Sequence, residues 1–108
     1  MFSINGEEWQ IVAVPSNYYK LYRSDGTLSM AACDDNDKII YVSNLLSGAF
    51  LKKVLCHEIT HAAMFSYDVN LTIDQEELIA DIIATYGDEI IYITNKVFRK
   101  FPFNRQLI

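Results

Sequence analysis

The sequence predicts an α+β domain in which a small β-sheet of about three strands precedes two principal helices. Three observations lead there. Short β-rich runs separated by turn residues fill positions 1–43; from about position 47 apolar residues recur at intervals of three and four; and no repeat, low-complexity stretch or linker divides the chain. A chain of 108 residues supports one core and one site, so 1–108 is read as a single domain with a β-rich part (1–43), a helical part (44–98) and a basic tail (99–108).

Residues 9–14, Trp-Gln-Ile-Val-Ala-Val, form a strand stopped by Pro15, and Ser24-Asp25-Gly26-Thr27 has the composition of a turn. Residues 28–33 and 38–42 flank Asp34-Asp35-Asn36-Asp37, which reads as a hairpin with a four-residue acidic loop. Between about 47 and 65, Phe50, Leu51, Val54, Leu55, Ile59, Ala62 and Ala63 trace a helix. Asp68-Val69-Asn70-Leu71 interrupts it, and Thr72-Ile73-Asp74-Gln75 fits a capping box that starts a second helix. Leu78, Ile79, Ile82, Ile83 and Tyr86 form its apolar stripe. It runs through Gly87 to about Phe98, although Gly87 equally suits a break or kink. Residues 96–108 carry Lys96, Arg99, Lys100 and Arg105 without an acid, and packing of this segment back on an acidic body is preferred to partner binding by Phe98, Phe101 and Phe103.

Fourteen acidic against nine basic residues give a net charge of −5, which excludes a general phosphate-binding footprint and so argues against nucleic acid as a partner. There is no basic-then-apolar leader and no apolar run near the ~18 residues a membrane span requires, so a cytoplasmic location without a membrane partner is expected. Cys33 and Cys56 form no C-x-x-C and are expected to be buried, reduced thiols.

The chemistry is concentrated in His57-Glu58-Ile59-Thr60-His61, an H-E-x-x-H within the first predicted helix. Residues four apart share a helix face, so the two imidazoles can hold one metal ion. Glu58, about 100° round the helix, can reach a water on that ion. The chain has two histidines, and finding them four apart with Glu next has a chance on the order of 0.001. A catalytic zinc needs a third protein ligand, and residues 62–67, Ala-Ala-Met-Phe-Ser-Tyr, exclude a nearby third histidine. The nearby carboxylates are Asp68, Asp74, Glu76, Glu77 and Asp81. Glu77 and Asp81 share a polar face with Ala80 and Ala84, whose small side chains allow close approach to the first helix. Glu77 is therefore preferred as ligand over Glu76, which falls at the edge of the apolar face, and Asp81 as acceptor for the N–H of a liganding imidazole.

His57-Glu58-x-x-His61 followed by Glu77-x-x-Ala80-Asp81 resembles the gluzincin pattern, in particular minimal gluzincins and ImmA/IrrE-type zinc metallopeptidases, many of them encoded by prophages and mobile elements. The likeness spans roughly residues 28–95. It implies a hydrolase with Zn2+ as cofactor, held by His57, His61 and Glu77, with Glu58 as general base and then general acid and Asp81 supporting a histidine. The substrate implied is a protein or peptide, including a single regulatory partner. An extended substrate is expected to add to the sheet along residues 39–42. Larger gluzincins use a downstream His or Tyr to stabilise the oxyanion; this chain has no third histidine, and none of Tyr67, Tyr86 or Tyr92 is singled out. Two other readings compete: a non-catalytic zinc-stabilised interaction or regulatory protein, and a metal-free interaction protein using the basic aromatic tail.

Overall fold

A computed structural model of the chain describes residues 1–101. Its elements are β1 (Phe2–Ile4), β2 (Glu7–Val14), a single 3-10 turn (Tyr19–Leu21), β3 (Ala31–Asp34), β4 (Ile39–Ser43), α1 (Gly48–Ser66) and α2 (Ile73–Lys100). The class is α+β, as expected, but the sheet has four strands where about three were predicted. The additional strand is β1, joined to β2 by Asn5-Gly6, whose φ angles of 50° and 79° are both left-handed. Two such residues make the tight turn whose twist matches its strands, and Asn-Gly adopts it at least cost. Three residues carry too little alternation to announce a strand, so this turn is its only mark in the sequence.

The strand order is β1-β2-β4-β3, with β2 and β4 parallel and the two outer pairs antiparallel. The predicted hairpin is β3–β4, in register from Ala31 opposite Val42 to Asp34 opposite Ile39. Asp34 stays within the strand: its carboxylate pairs with Lys20 at 2.9 Å and accepts the backbone N–H of Asn36 at 3.0 Å, which shapes the turn that follows. β4 is bonded on both sides, so residues 39–42 have no open edge for a substrate; the edge strand of this pair is β3. This overturns the expected docking strand. Apolar strands that fit an edge fit a sheet interior equally well, and only pairing decides between them.

Alternation puts neighbouring side chains of β4 on opposite faces. Ile40 joins Trp9 and Ala62 in a core beneath α1, and Tyr41 joins Val14 and Leu21 beneath the 3-10 turn. Trp9 Nε1 donates to the buried Ser66 hydroxyl at 2.9 Å, tying the last turn of α1 to β2. On α1, Ile59 packs against the sheet core. His57, two residues earlier and about 200° away, consequently points to the other side.

The capping box of α2 forms as predicted: Thr72 Oγ1 accepts the Gln75 N–H at 3.2 Å, and Gln75 Oε1 accepts the Thr72 N–H at 3.1 Å. The helix passes Gly87 without a break and continues to Lys100. Lys96, Arg99 and Lys100 are thus helical and not part of a tail; the expected folding back of the terminal segment falls on residues 102–108, outside the described residues. α2 also lies on α1 by its small residues and not by its apolar stripe. Ala80 is fully buried, whereas Leu78, Ile79, Ile82, Ile83 and Tyr86 are exposed. No helix among the described residues is long and apolar enough to cross a membrane.

Candidate metal centre

The close approach of α2 to α1 brings together the residues singled out by the motif. His57 Nε2 and His61 Nε2 lie 3.2 Å apart, and Glu77 Oε2 is 3.3 Å from the first and 3.1 Å from the second. Ligands held 2.0–2.1 Å from a tetrahedral zinc stand about 3.3 Å apart, so these three atoms outline one face of such a site. Among the described residues this is the group whose ligand atoms converge; it could hold a metal ion. The exposed Asp68 and Asp74 are outside it.

Each imidazole is also held from its other nitrogen. Asp81 Oδ1 lies 3.0 Å from His57 Nδ1, and Glu76 Oε1 lies 2.6 Å from His61 Nδ1. A carboxylate at Nδ1 assigns the proton to that nitrogen and turns the Nε2 lone pair towards the centre. Two lone pairs and a carboxylate oxygen then face one another within 3.3 Å, an arrangement that a cation relieves. Asp81 thus stands where the sequence placed it. Glu76 does not: it faces His61 and is more enclosed, with 18% of its side chain exposed against 68% for Asp81. Sequence reasoning ranked it below Glu77 as a ligand, because it falls at the edge of the apolar face, and gave it no contact with His61.

Burial pushes the Glu58 carboxyl above the ordinary range; the Glu77 charge adds to this, while His57, His61 and Arg23 draw it down. Burial lowers the His61 pKa, but the Glu76 hydrogen bond and the charges of Glu77 and Glu58 more than reverse this, so the net shift is upward. Cys33, in β3, is pushed up to about 12, chiefly by burial, and Cys33 and Cys56 are both free thiols. A thiol held that far above neutrality is a poor nucleophile; both cysteines are only partly buried, where buried thiols were expected.

No family model, curated protein or solved structure matches this chain. A cleft of about 340 Å³ opens beside His57 and Glu58, lined also by Arg23, Leu28, Met30 and Phe50. A smaller one of about 240 Å³ opens beside His61, Glu76 and Glu77, lined also by Cys33 and Phe65. The histidine pair separates the two, and β3 contributes Ala31 to the first and Cys33 to the second. None of Tyr67, Tyr86 and Tyr92 lines either cleft. Arg23 does, its guanidinium bonded to Thr27 Oγ1 at 3.2 Å. As an isolated arginine beside a turn it carried no sequence signal.

Proposed function

We propose that the chain is a zinc-dependent metallopeptidase of the ImmA/IrrE-like gluzincin type, with Glu58 as general base and a peptide or protein as substrate. The observation that supports this most directly is the placement of Glu58. It is largely enclosed, one residue from His57, and opens into the same cleft as that ligand. A site built only to staple two helices has no need of a carboxylate aimed into an adjoining cleft.

His57, His61 and Glu77 would hold the metal, three protein ligands being what a catalytic zinc takes. When bound, zinc supplies an acidified water and polarises a carbonyl. Glu58 accepts the proton released as the water attacks the peptide carbon and delivers it to the departing amine, so the carboxylate returns to its starting state. Asp81 and Glu76 keep the imidazoles in the tautomer that ligates. Arg23, the guanidinium of the cleft, balances the charge that develops on the carbonyl oxygen. An extended substrate runs along the outer edge of β3, with clefts for its side chains on both sides of the scissile bond.

The test is zinc content and peptidase activity, measured side by side on wild type, Glu58→Gln and Arg23→Ala. Glu58→Gln is expected to keep one zinc per chain and lose activity by roughly a thousandfold or more, and Arg23→Ala to keep zinc and lose about tenfold or more in kcat. Unchanged activity in Glu58→Gln refutes the peptidase reading and leaves zinc as a structural staple.

A further inference from the structure

α2 is 28 residues long, about 42 Å at 1.5 Å per residue, and its middle is joined to the start of α1 by the Lys52–Asp88 ion pair at 2.8 Å. From Asp88 to Lys100 every residue is exposed, and the molecule measures 56 Å along its longest axis against 30 and 27 Å across. Ile79, Ile83, Tyr86, Ile90, Ile93 and Val97 follow one another in alternating steps of four and three, the 3.5-residue repeat of a coiled-coil seam. All six are between 38% and 56% exposed. The seam lies about a third of a turn round the helix from Ala80 and Ala84; Ile83 borders α1 beside Ala49, Lys52 and Cys56, and from Tyr86 onward the α1 contact leaves the seam open. Five of the six are β-branched and the sixth is aromatic, residues that a solvated helix has no reason to repeat in this register.

We propose that this seam is where two copies of the chain associate, α2 against α2, antiparallel about a two-fold axis near Ile91 and Tyr92. Charge selects the second copy and its orientation. A parallel pair in register sets Lys96, Arg99 and Lys100 of one copy beside the same three cations of the other. In the antiparallel pair, Ile90 meets Ile93 of the second copy and Tyr86 meets its Val97. The flanking position before Ile90 is Glu89 and that before Val97 is Lys96, so symmetry places Glu89 beside Lys96 of the second copy, twice. Sliding the pair by one heptad sets Glu89 against itself across the axis, which disfavours that register. The axis lies in the exposed half of α2, away from the metal-binding end, and the proposal is independent of what the metal centre does.

Sedimentation velocity and equilibrium on the full chain at tens of micromolar test this. Wild type is expected to be a dimer, and Ile90→Glu combined with Ile93→Glu a monomer with its far-UV helical signal retained. Glu89→Lys and Lys96→Glu should each weaken the dimer by roughly tenfold, and the two together should restore it to within about threefold. These surface reversals keep the test decisive should the double glutamate variant fail to fold. A monomeric wild type overturns the proposal, whether the seam is then met by residues 102–108 or by a different protein. A dimer that survives Ile90→Glu/Ile93→Glu also overturns it, and a double reversal no tighter than the single ones overturns the antiparallel register.

Discussion

The two carboxylates that hold the histidines should not contribute equally to metal affinity, and the inequality can be worked out from their surroundings. Glu76 approaches His61 Nδ1 at 2.6 Å, where the imidazole and carboxylate side chains are only 13% and 18% exposed. Asp81 approaches His57 Nδ1 at 3.0 Å and is 68% exposed. Removing such a partner typically costs 10–100-fold in metal affinity. The enclosed pair is less accessible to a water that could take over the acceptor's role, and its charge is less screened, so Glu76→Gln should fall near the upper end. That is about a hundredfold, or ~2.7 kcal/mol. At Asp81 a solvent molecule can replace the carboxylate, so Asp81→Asn should fall near the lower end, about tenfold. Both amides keep the shape of the acid they replace, so packing changes little and charge is what is tested. The assay is competition for zinc against a chromophoric chelator at neutral pH. Equal losses in the two variants, or a larger loss in Asp81→Asn, would refute the reasoning that burial sets the strength of these contacts.

Two further outcomes follow from the same geometry. Ala80 is fully buried where α2 meets α1, so Ala80→Leu should separate the helices; about 1–3 kcal/mol of stability should be lost in chemical denaturation together with most of the zinc affinity, and full retention of zinc would show that the close approach is not needed. In metal-free protein the folded-state pKa values of His61 and Glu58 are both raised, so the native state binds their protons more tightly than the unfolded chain does. The stability this contributes is complete below each unfolded value, about 4.3 for Glu and 6.5 for His, and is lost as pH rises through the raised value. The urea midpoint of chelator-treated protein should therefore fall between about pH 6 and pH 8, whereas added zinc, which requires deprotonated ligands, should stabilise more as pH rises. A metal-free midpoint that climbs over this interval would contradict the assignment.

What the chain determines by itself is whatever lies within a turn or two of helix. The H-E-x-x-H spacing places two imidazoles on one face because 3.6 residues make a turn, and Thr72 with Gln75 satisfies first-turn donors without help from the rest of the molecule. Glu77 was legible for a similar reason, since Ala80 and Ala84 mark the one side of α2 that can come close to another helix. Tertiary structure decided the rest. Whether residues 39–42 lie at an edge depends on β2 arriving parallel on their far side, a pairing across nearly thirty residues that no local pattern announces. The same holds for Glu76 and Arg23, which entered the site only when α2 settled on its small residues and the turn after Leu21 folded beside β3. That choice of face also left the apolar stripe of α2 in the open. Burying Ala80 against α1 and burying Ile90 against something else are separate events, because Ile90 lies about 15 Å along the helix from Ala80, past the Asp88 that pairs with Lys52 in the first turns of α1.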